Sequence, residues 1–448
     1  MSSFRRFWLW LRNSLWFVPT LIVLGSMAAA VALVNSTGNV QDDLVTRWPR
    51  IFGAGADGSR EMLAAIATSM ITVAGVVFSI TIVSLSLAST QYSPRVLRNF
   101  MRDRPTQVVL GVFVGNFVYC LLVLRTVRGG DDLTFIPALA VLAGMVYAFS
   151  AIALLIYFIH HVAHSIQASS IVSRIFDDAA ASVDSMFPET VGAPAAEEAA
   201  GPVPMPQVWS AVTAEHNGYV TAVAGEPLLE MAVECGRVVR LCVGTGDFVV
   251  EGSPLAEFEG LDAVSPALVE RLRKLVALGQ QRTPEQDPAF GIQQLVDIGV
   301  KALSPGINDP TTACMCIDQL GAVVVRLSER RMPDARRMQG GRLRVIAPVP
   351  DYRSLVELAF NAVVQHSRGD VQVLCRVLNQ LETAEPRVHD PARRRVLSRT
   401  ALAVRRRLAT AERSVEATLA RRRAQRLAAL LRQDGDVVRP GPATINPG

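Results

Sequence analysis

Charge is missing from four long stretches of this chain. Residues 15–34, 62–88, 108–124 and 136–159 contain no Asp, Glu, Lys, Arg or His. A helix needs about 20 mostly apolar residues to cross a bilayer, and all four stretches fall in or near that range. The lack of charge also bears on mechanism. Ion-coupled pumps keep ionisable side chains inside their spans, and none stands at the middle of these.

Lysine is nearly absent too. Only Lys274 and Lys301 occur, and every other basic residue is arginine. Arginine excess suits phosphate or carboxylate recognition, but a bias this uniform along the chain reads first as the base composition of the coding sequence. The six cysteines, Cys120, Cys235, Cys242, Cys314, Cys316 and Cys375, form no C-x-x-C. Their spacing fits neither a zinc site nor a disulfide framework, so the chain outside the membrane belongs in a reducing compartment. Cys314 and Cys316 read as small apolar helix residues. No H-E-x-x-H, G-x-S-x-G or Walker pattern occurs, so the chain is expected not to be an enzyme, and no cofactor or metal is expected.

What is present divides the chain. Residues 1–165 read as a four-helix transmembrane domain, 166–206 as a helical extension and linker, 207–262 as a small β-barrel-like module, 263–435 as a cytosolic helical domain and 436–448 as a disordered tail. The fold class is that of a mainly α membrane protein followed by a cytosolic α+β region. Arg5, Arg6 and Arg12 before the first run imitate a secretory signal. Its length and the three runs behind it suit a retained anchor. The loop after the second run carries Arg95, Arg98, Arg102 and Arg104. This loop and the N-terminal tail fall on one side, so both chain ends are placed in the cytoplasm of a multi-pass inner-membrane protein.

The second run is the most patterned. Thr68, Thr72, Gly75, Ser79, Ser86 and Thr90 recur at helical spacing on one face, widened by Ser69, Ser84 and Ser89. Such a face can line a pathway, because hydroxyls solvate a solute without carrying charge. It can equally let helices approach closely. After it, Ser93-Pro94 can start a short interfacial helix that sets Arg95, Arg98 and Arg102 against lipid headgroups. His160, His161 and His164 follow the fourth run and read as polar residues at a membrane exit, with the helix continuing through Ile166 and Ile175.

Beyond the linker at 188–206 the pattern turns to strands. Gly225-Glu226-Pro227 and Gly244-Thr245-Gly246-Asp247 read as turns between them. The phrase from Gly246 to Ala256 is similar to the hairpins of lipoyl- and biotinyl-type barrels, but it contains no lysine to modify, so a carrier role is excluded. Residues 304–312, Ser-Pro-Gly-Ile-Asn-Asp-Pro-Thr-Thr, read as helix, turn, helix, with Asp309 as cap and Pro310 at the first helical position. Ser304, Gly306, Asn308, Asp309, Thr311 and Thr312 are the ligand-site candidates there. The new helix's free N–H groups suit an anion, and Asn308 with Asp309 suits a cation. A purely structural turn is the other reading. The chain closes on helices with 14 arginines between Arg387 and Arg432. They lack the aromatics that nucleic-acid stacking needs, so a solvated or membrane-facing basic pair is expected and no nucleic-acid partner.

Three phrases combine into a resemblance: Ser93-Pro94-Arg95-Val96-Leu97-Arg98-Asn99-Phe100, the run Tyr157-Phe158-Ile159-His160-His161-Val162-Ala163-His164, and Ser304-Pro305-Gly306-Ile307-Asn308-Asp309-Pro310. Together they resemble the bacterial membrane proteins grouped as domain-of-unknown-function family 2254. That resemblance implies a multi-pass inner-membrane protein with a cytosolic C-terminal region, and it brings no catalytic or binding residue with it. The functional expectation is a homo-oligomeric, channel-like conduit. A non-transporting envelope scaffold or sensor, whose cytosolic part binds a small ligand or partner, is the alternative.

Overall fold

A computed structural model describes residues 16–36, 55–91, 103–129, 135–186, 207–260, 264–412 and 414–433. The chain forms two compact units, one ending at Gln167 and one beginning at Ala168.

The first unit holds the four apolar runs as helices α1 (Phe17–Ser36), α2 (Ala56–Gln91), α3 (Arg104–Thr126) and α4 (Ala138–Ser165). Each is long and apolar enough to cross a membrane. Pro19 sits in the first turn of α1, where its missing N–H costs little. The carboxylate of Asp103 starts α3 by accepting the Thr106 N–H at 3.4 Å and the Thr106 hydroxyl at 2.5 Å. α3 is the hub: its most apolar stretch is 50% buried, against 22% for α2 and 11% for α1. Leu63, Ala67, Tyr119, Cys120, Val123 and Ala140 fill one end of the bundle. Met70, Ala74, Val77, Phe113 and Phe158 fill the other.

α4 stops at Ser165 instead of running on through Ile166, and α5 (Ala168–Met186) starts anew. The Ser165 hydroxyl donates to the Val162 carbonyl at 3.1 Å, which competes with the helical ladder where it ends.

In the second unit, α5 packs on α8 (Pro288–Ala302) and α9 (Pro310–Glu329). A five-stranded sheet runs β1 (Trp209–Thr213), β5 (Pro254–Glu259), β3 (Val239–Leu241), β8 (Arg342–Ile346), β7 (Arg336–Gln339). β3 and β8 are parallel and the other neighbours antiparallel. A three-stranded sheet runs β4 (Phe248–Val249), β2 (Gly218–Val223), β6 (Val276–Gly279). Helices α6 (Gly225–Glu234) and α7 (Pro266–Leu275) share one core with them, through Leu228, Met231, Phe258 and Leu272.

Two expectations change here. Gly225-Glu226-Pro227 opens α6 instead of making a turn, because proline is tolerated in a first helical turn. The β region extends past residue 262, since β6, β7 and β8 come from later in the chain. Gly246, at φ +90°, lies against the pair of half-buried Arg282 and buried Asp287, where a side chain would strain the backbone and strike the carboxylate. α10 (Tyr352–His366) and α11 (Val371–Ala384) pack on α8 and α9. α12 (Pro391–Leu408) and α13 (Val415–Gln433) close the unit as a helical pair. The linker at 188–206 and the tail at 436–448 lie outside the described residues.

Candidate functional site

Two sets of polar groups lie along the spans of the membrane unit. The first lies inside the bundle. α1 crosses α3 so closely that side chains on Gly111 and Gly115 would not fit. A Cβ at Gly111 would meet Pro19 Cα at 2.9 Å, and one at Gly115 would meet Ser26 Oγ at 2.6 Å and Tyr147 Oη at 2.8 Å. Two glycines four residues apart make a flat strip on which a second helix can lie. The strip's polar neighbours satisfy one another. Ser26 donates its hydroxyl to the Ile22 carbonyl at 2.8 Å, and so accepts that of Tyr147 at 2.9 Å. Tyr119 donates to the Ala140 carbonyl at 2.8 Å. Asn116, fully buried, accepts the Cys120 thiol at 3.4 Å, while its Nδ2 has no partner among the described residues.

The second set is the hydroxyl face of α2. Ser59, Leu63, Ala67, Met70, Ala74 and Val77 turn into the bundle. Thr68, Thr72, Gly75, Ser79, Ser86 and Thr90 are all exposed, about half a turn round the helix from that buried side. Nothing lies within 4 Å of where a Gly75 side chain would begin. Thr72 and Thr90 donate to their own helix, at Thr68 O (2.8 Å) and Ser86 O (3.0 Å). The hydroxyls of Thr68, Ser79 and Ser86 take no partner among the described residues. The six pore-lining candidates therefore do share one face, and that face looks out of the single chain.

At the end of the bundle where α3 begins and α4 leaves, His161 Nε2 lies 2.8 Å from the Asp103 carboxylate. A carboxylate only accepts, so the imidazole N–H is the donor. The rings of His160 and His164 touch, with centroids 4.4 Å apart. Among the described residues no group of three or more metal-ligating side chains forms. Arg95, Arg98 and Arg102, the headgroup candidates, lie outside the described residues.

In the second unit the turn at 304–312 is well determined by its own bonds. The Asn308 N–H donates to Ser304 O at 2.9 Å and the Asp309 N–H to Ala302 O at 2.8 Å. Asn308 takes φ +48°, a region that asparagine tolerates. Asp309 accepts the Thr312 N–H at 3.0 Å and the Thr312 hydroxyl at 2.5 Å. Those donors hold its carboxyl below the usual range, with the Thr312 hydroxyl the largest cause. Both carboxylate oxygens are thus engaged by the helix it caps. Gly306, Asn308 and Thr311 are exposed, and Ser304 and Thr312 half-buried. The bonds fit a structural turn, and the carboxylate opposes an anion at the helix start. Cys316, on the inner side of α9, is fully buried, which pushes its thiol up to about 12.

One concavity escaped the sequence reading. A cleft of about 330 Å³ between α9 and α11 is lined by Arg326, Glu329, Gln380 and Arg387 among others. Its charges are paired. Arg326 and Arg330 both hold Asp184, whose carboxyl is lowered chiefly by the hydrogen bond from Arg326, and Arg387 faces Glu329 at 3.5 Å.

A family described as predicted membrane protein (DUF2254) matches residues 12–383. The chain belongs to that family. Among its relatives are an uncharacterized protein of Mycobacterium bovis and one of Mycobacterium tuberculosis. Each is 34% identical over 406 residues, covering 88% of this chain and 76% of the relative. No solved structure matches the chain. The family match takes in the four spans, the β region and the turn at 304–312, and stops before α12 and α13.

Proposed function

We propose that this DUF2254 protein is a subunit of a homo-oligomeric, channel-like conduit in a bacterial inner membrane, controlled by its second unit. The observation behind the proposal is the outward hydroxyl face of α2. Each chain's own bundle is closed by packing around α3, so a pathway lined by Thr68, Thr72, Gly75, Ser79, Ser86 and Thr90 has to run between copies. Ser79 and Ser86 carry hydroxyls without partners among the described residues, available to a hydrated solute. With no ionisable side chain at midplane, passage is passive. The arginine distribution favours a cytoplasmic second unit with both chain ends on that side. The reading is non-enzymatic and rests on the missing catalytic patterns.

The experiment is conductance in planar bilayers. Purified protein should pass current, and Ser79→Leu with Ser86→Leu should abolish it while leaving the oligomer's size unchanged. Absence of current under every voltage and tension applied would sink the proposal. Orientation is tested separately by a periplasm-dependent reporter fused at residue 448, which should be inactive.

A second reading has its own support. Ser69, Thr72, Ser84 and Thr90 donate back to carbonyls of α2, which satisfies them without any solute. The open space at Gly75 suits close approach of a second copy's helix. On these observations the protein is a non-transporting scaffold or sensor. Gly75→Leu then breaks the oligomer, whereas the Ser79 and Ser86 substitutions leave both assembly and membrane permeability as they were.

A further inference from the structure

The last described helix has an outer side that the fold does not use. Ala417, Ala420, Ala424, Leu427, Ala428 and Leu431 of α13 turn inward and are buried. Val415, Leu419, Arg422, Arg426 and Leu430 follow at steps that keep them together on the opposite side. Val415 is 77% exposed and Leu419 58%.

The arginines of this pair of helices divide into two groups. Some hold the structure together. Arg423 Nε donates to Glu382 at 2.6 Å and Arg421 Nε to the Leu408 carbonyl at 2.8 Å. In α12, Arg394 is buried and reaches Glu385 at 2.8 Å and the Val388 carbonyl at 3.1 Å. The others point away. Arg422 and Arg426 are exposed and, among the described residues, take no carboxylate partner. Arg395, Arg399 and Arg406 form a like row on α12.

Single exposed leucines are ordinary. Valine and leucine sharing one helical face with arginines that take no carboxylate partner among the described residues is a different pattern, the one that lies in a lipid interface. We propose that the outer side of α13 docks on the anionic headgroup surface of the bilayer that anchors the chain. Val415, Leu419 and Leu430 enter the acyl boundary, and Arg422 and Arg426 pair with headgroup phosphates. The guanidinium fork suits that partner, because it donates two parallel hydrogen bonds to phosphate oxygens. Charge complementarity argues against the other occupants. A second copy meeting this side with its own would bring like charges together. Nucleic acid offers phosphates but no apolar layer for Val415 and Leu419, and α12 and α13 contain no aromatic residue to stack on a base.

The test keeps the full-length protein. Leu419→p-benzoyl-phenylalanine places a photoreactive group on the surface without entering the core. The protein is then embedded in nanodiscs of phosphatidylcholine alone or with roughly one third phosphatidylglycerol, an anionic lipid. Irradiation should give lipid adducts at position 419 at about tenfold higher yield with the anionic lipid, falling to the zwitterionic level at roughly 0.5 M salt. Arg422→Gln with Arg426→Gln should remove the difference, with gel-filtration behaviour unchanged because both side chains are exposed. Lipid adducts that ignore the anionic lipid would overturn the proposal. So would adducts to a second copy, nuclease-sensitive adducts, or no lipid adduct at all.

Discussion

Spans two and three both carry an uncharged run dotted with small and polar residues, yet they spend those residues in opposite ways. α3 turns Gly111, Gly115, Asn116 and Tyr119 into its own chain's bundle, and half of its apolar stretch is buried. α2 turns Ala67, Ala74 and Val77 inward and leaves the hydroxyls of Thr68, Thr72, Ser79, Ser86 and Thr90 outside. In lipid no hydrophobic gain drives helices together, so close contact and hydrogen bonds decide which surfaces meet. A polar residue inside the bundle is therefore evidence about folding, while one that looks out is evidence about what surrounds the bundle. Of these two spans, the described residues leave the α2 face to argue for assembly or passage.

One substitution, made in both spans, tests this contrast most strongly. Gly115→Leu drives a side chain into Ser26 Oγ and Tyr147 Oη, at contacts already below 3 Å for the first carbon. Overpacking usually costs about 1–3 kcal/mol, and the two hydroxyls it strikes are bonded to each other in the close α1–α3 crossing, which puts this change at the upper end. Monodisperse protein in detergent should be largely lost. Gly75→Leu meets nothing within 4 Å, so the chain should fold and only its association should change. Equal loss of folded protein from both variants would erase the distinction between the two faces.

The turn at 304–312 extends the comparison beyond the membrane. Asp309 resembles the α3 set, since its own helix consumes both oxygens. Asp309→Ala should cost about 1 kcal/mol, the usual worth of such a cap. The carboxyl is held below its ordinary value of 3.8 by bonds from Thr312. A lowered folded-state value means the contribution is complete above pH 3.8 and fades as pH falls through the lower value. Thermal unfolding of both proteins across that range should show the gap closing in acid. A gap that widens in acid, or an unaltered midpoint at neutral pH, would mean that Asp309 does something other than cap.

Much of this was readable in residue order, for local reasons. An uncharged run long enough to cross a bilayer has few other destinies, and Asn308-Asp309-Pro310-Thr311-Thr312 carries its own cap and first turn. Distance and direction hid the rest. β3 pairs in parallel with β8, joining Val239 to Val345, and no local pattern announces a partner so far along the chain. Pro227 lies in the first turn of α6, where proline looks the same as in a loop. The α2 face was legible as a face, but periodicity cannot say whether a face looks in or out. Gly111-Val112-Phe113-Val114-Gly115 displays a small-residue spacing that a search for charge passes over, and with it went the seam that closes the bundle.

A smaller effect is expected from Tyr147→Phe, which deletes the hydroxyl donated to Ser26 at 2.9 Å. Hydrogen bonds between membrane helices average about 0.6 kcal/mol. Unfolding in detergent should shift by that order, with no change in oligomer size, because the bond lies inside one chain. A change in assembly without a change in stability would show that the α1–α3 seam also serves contacts between copies.

The least effect on folding is expected at Asn116, which makes it the sharpest comparison with the α2 hydroxyls. Its Oδ1 receives only a thiol, at 3.4 Å, and its Nδ2 nothing among the described residues. A buried donor left unpaired weighs against the folded state by about 1–3 kcal/mol, so replacing it with an apolar group of similar size removes a cost along with a weak bond. Asn116→Leu should therefore leave stability unchanged or slightly raised. If instead the variant unfolds more readily, Asn116 bonds to something the isolated chain does not supply. α3 would then share the outward role assigned here to α2 alone.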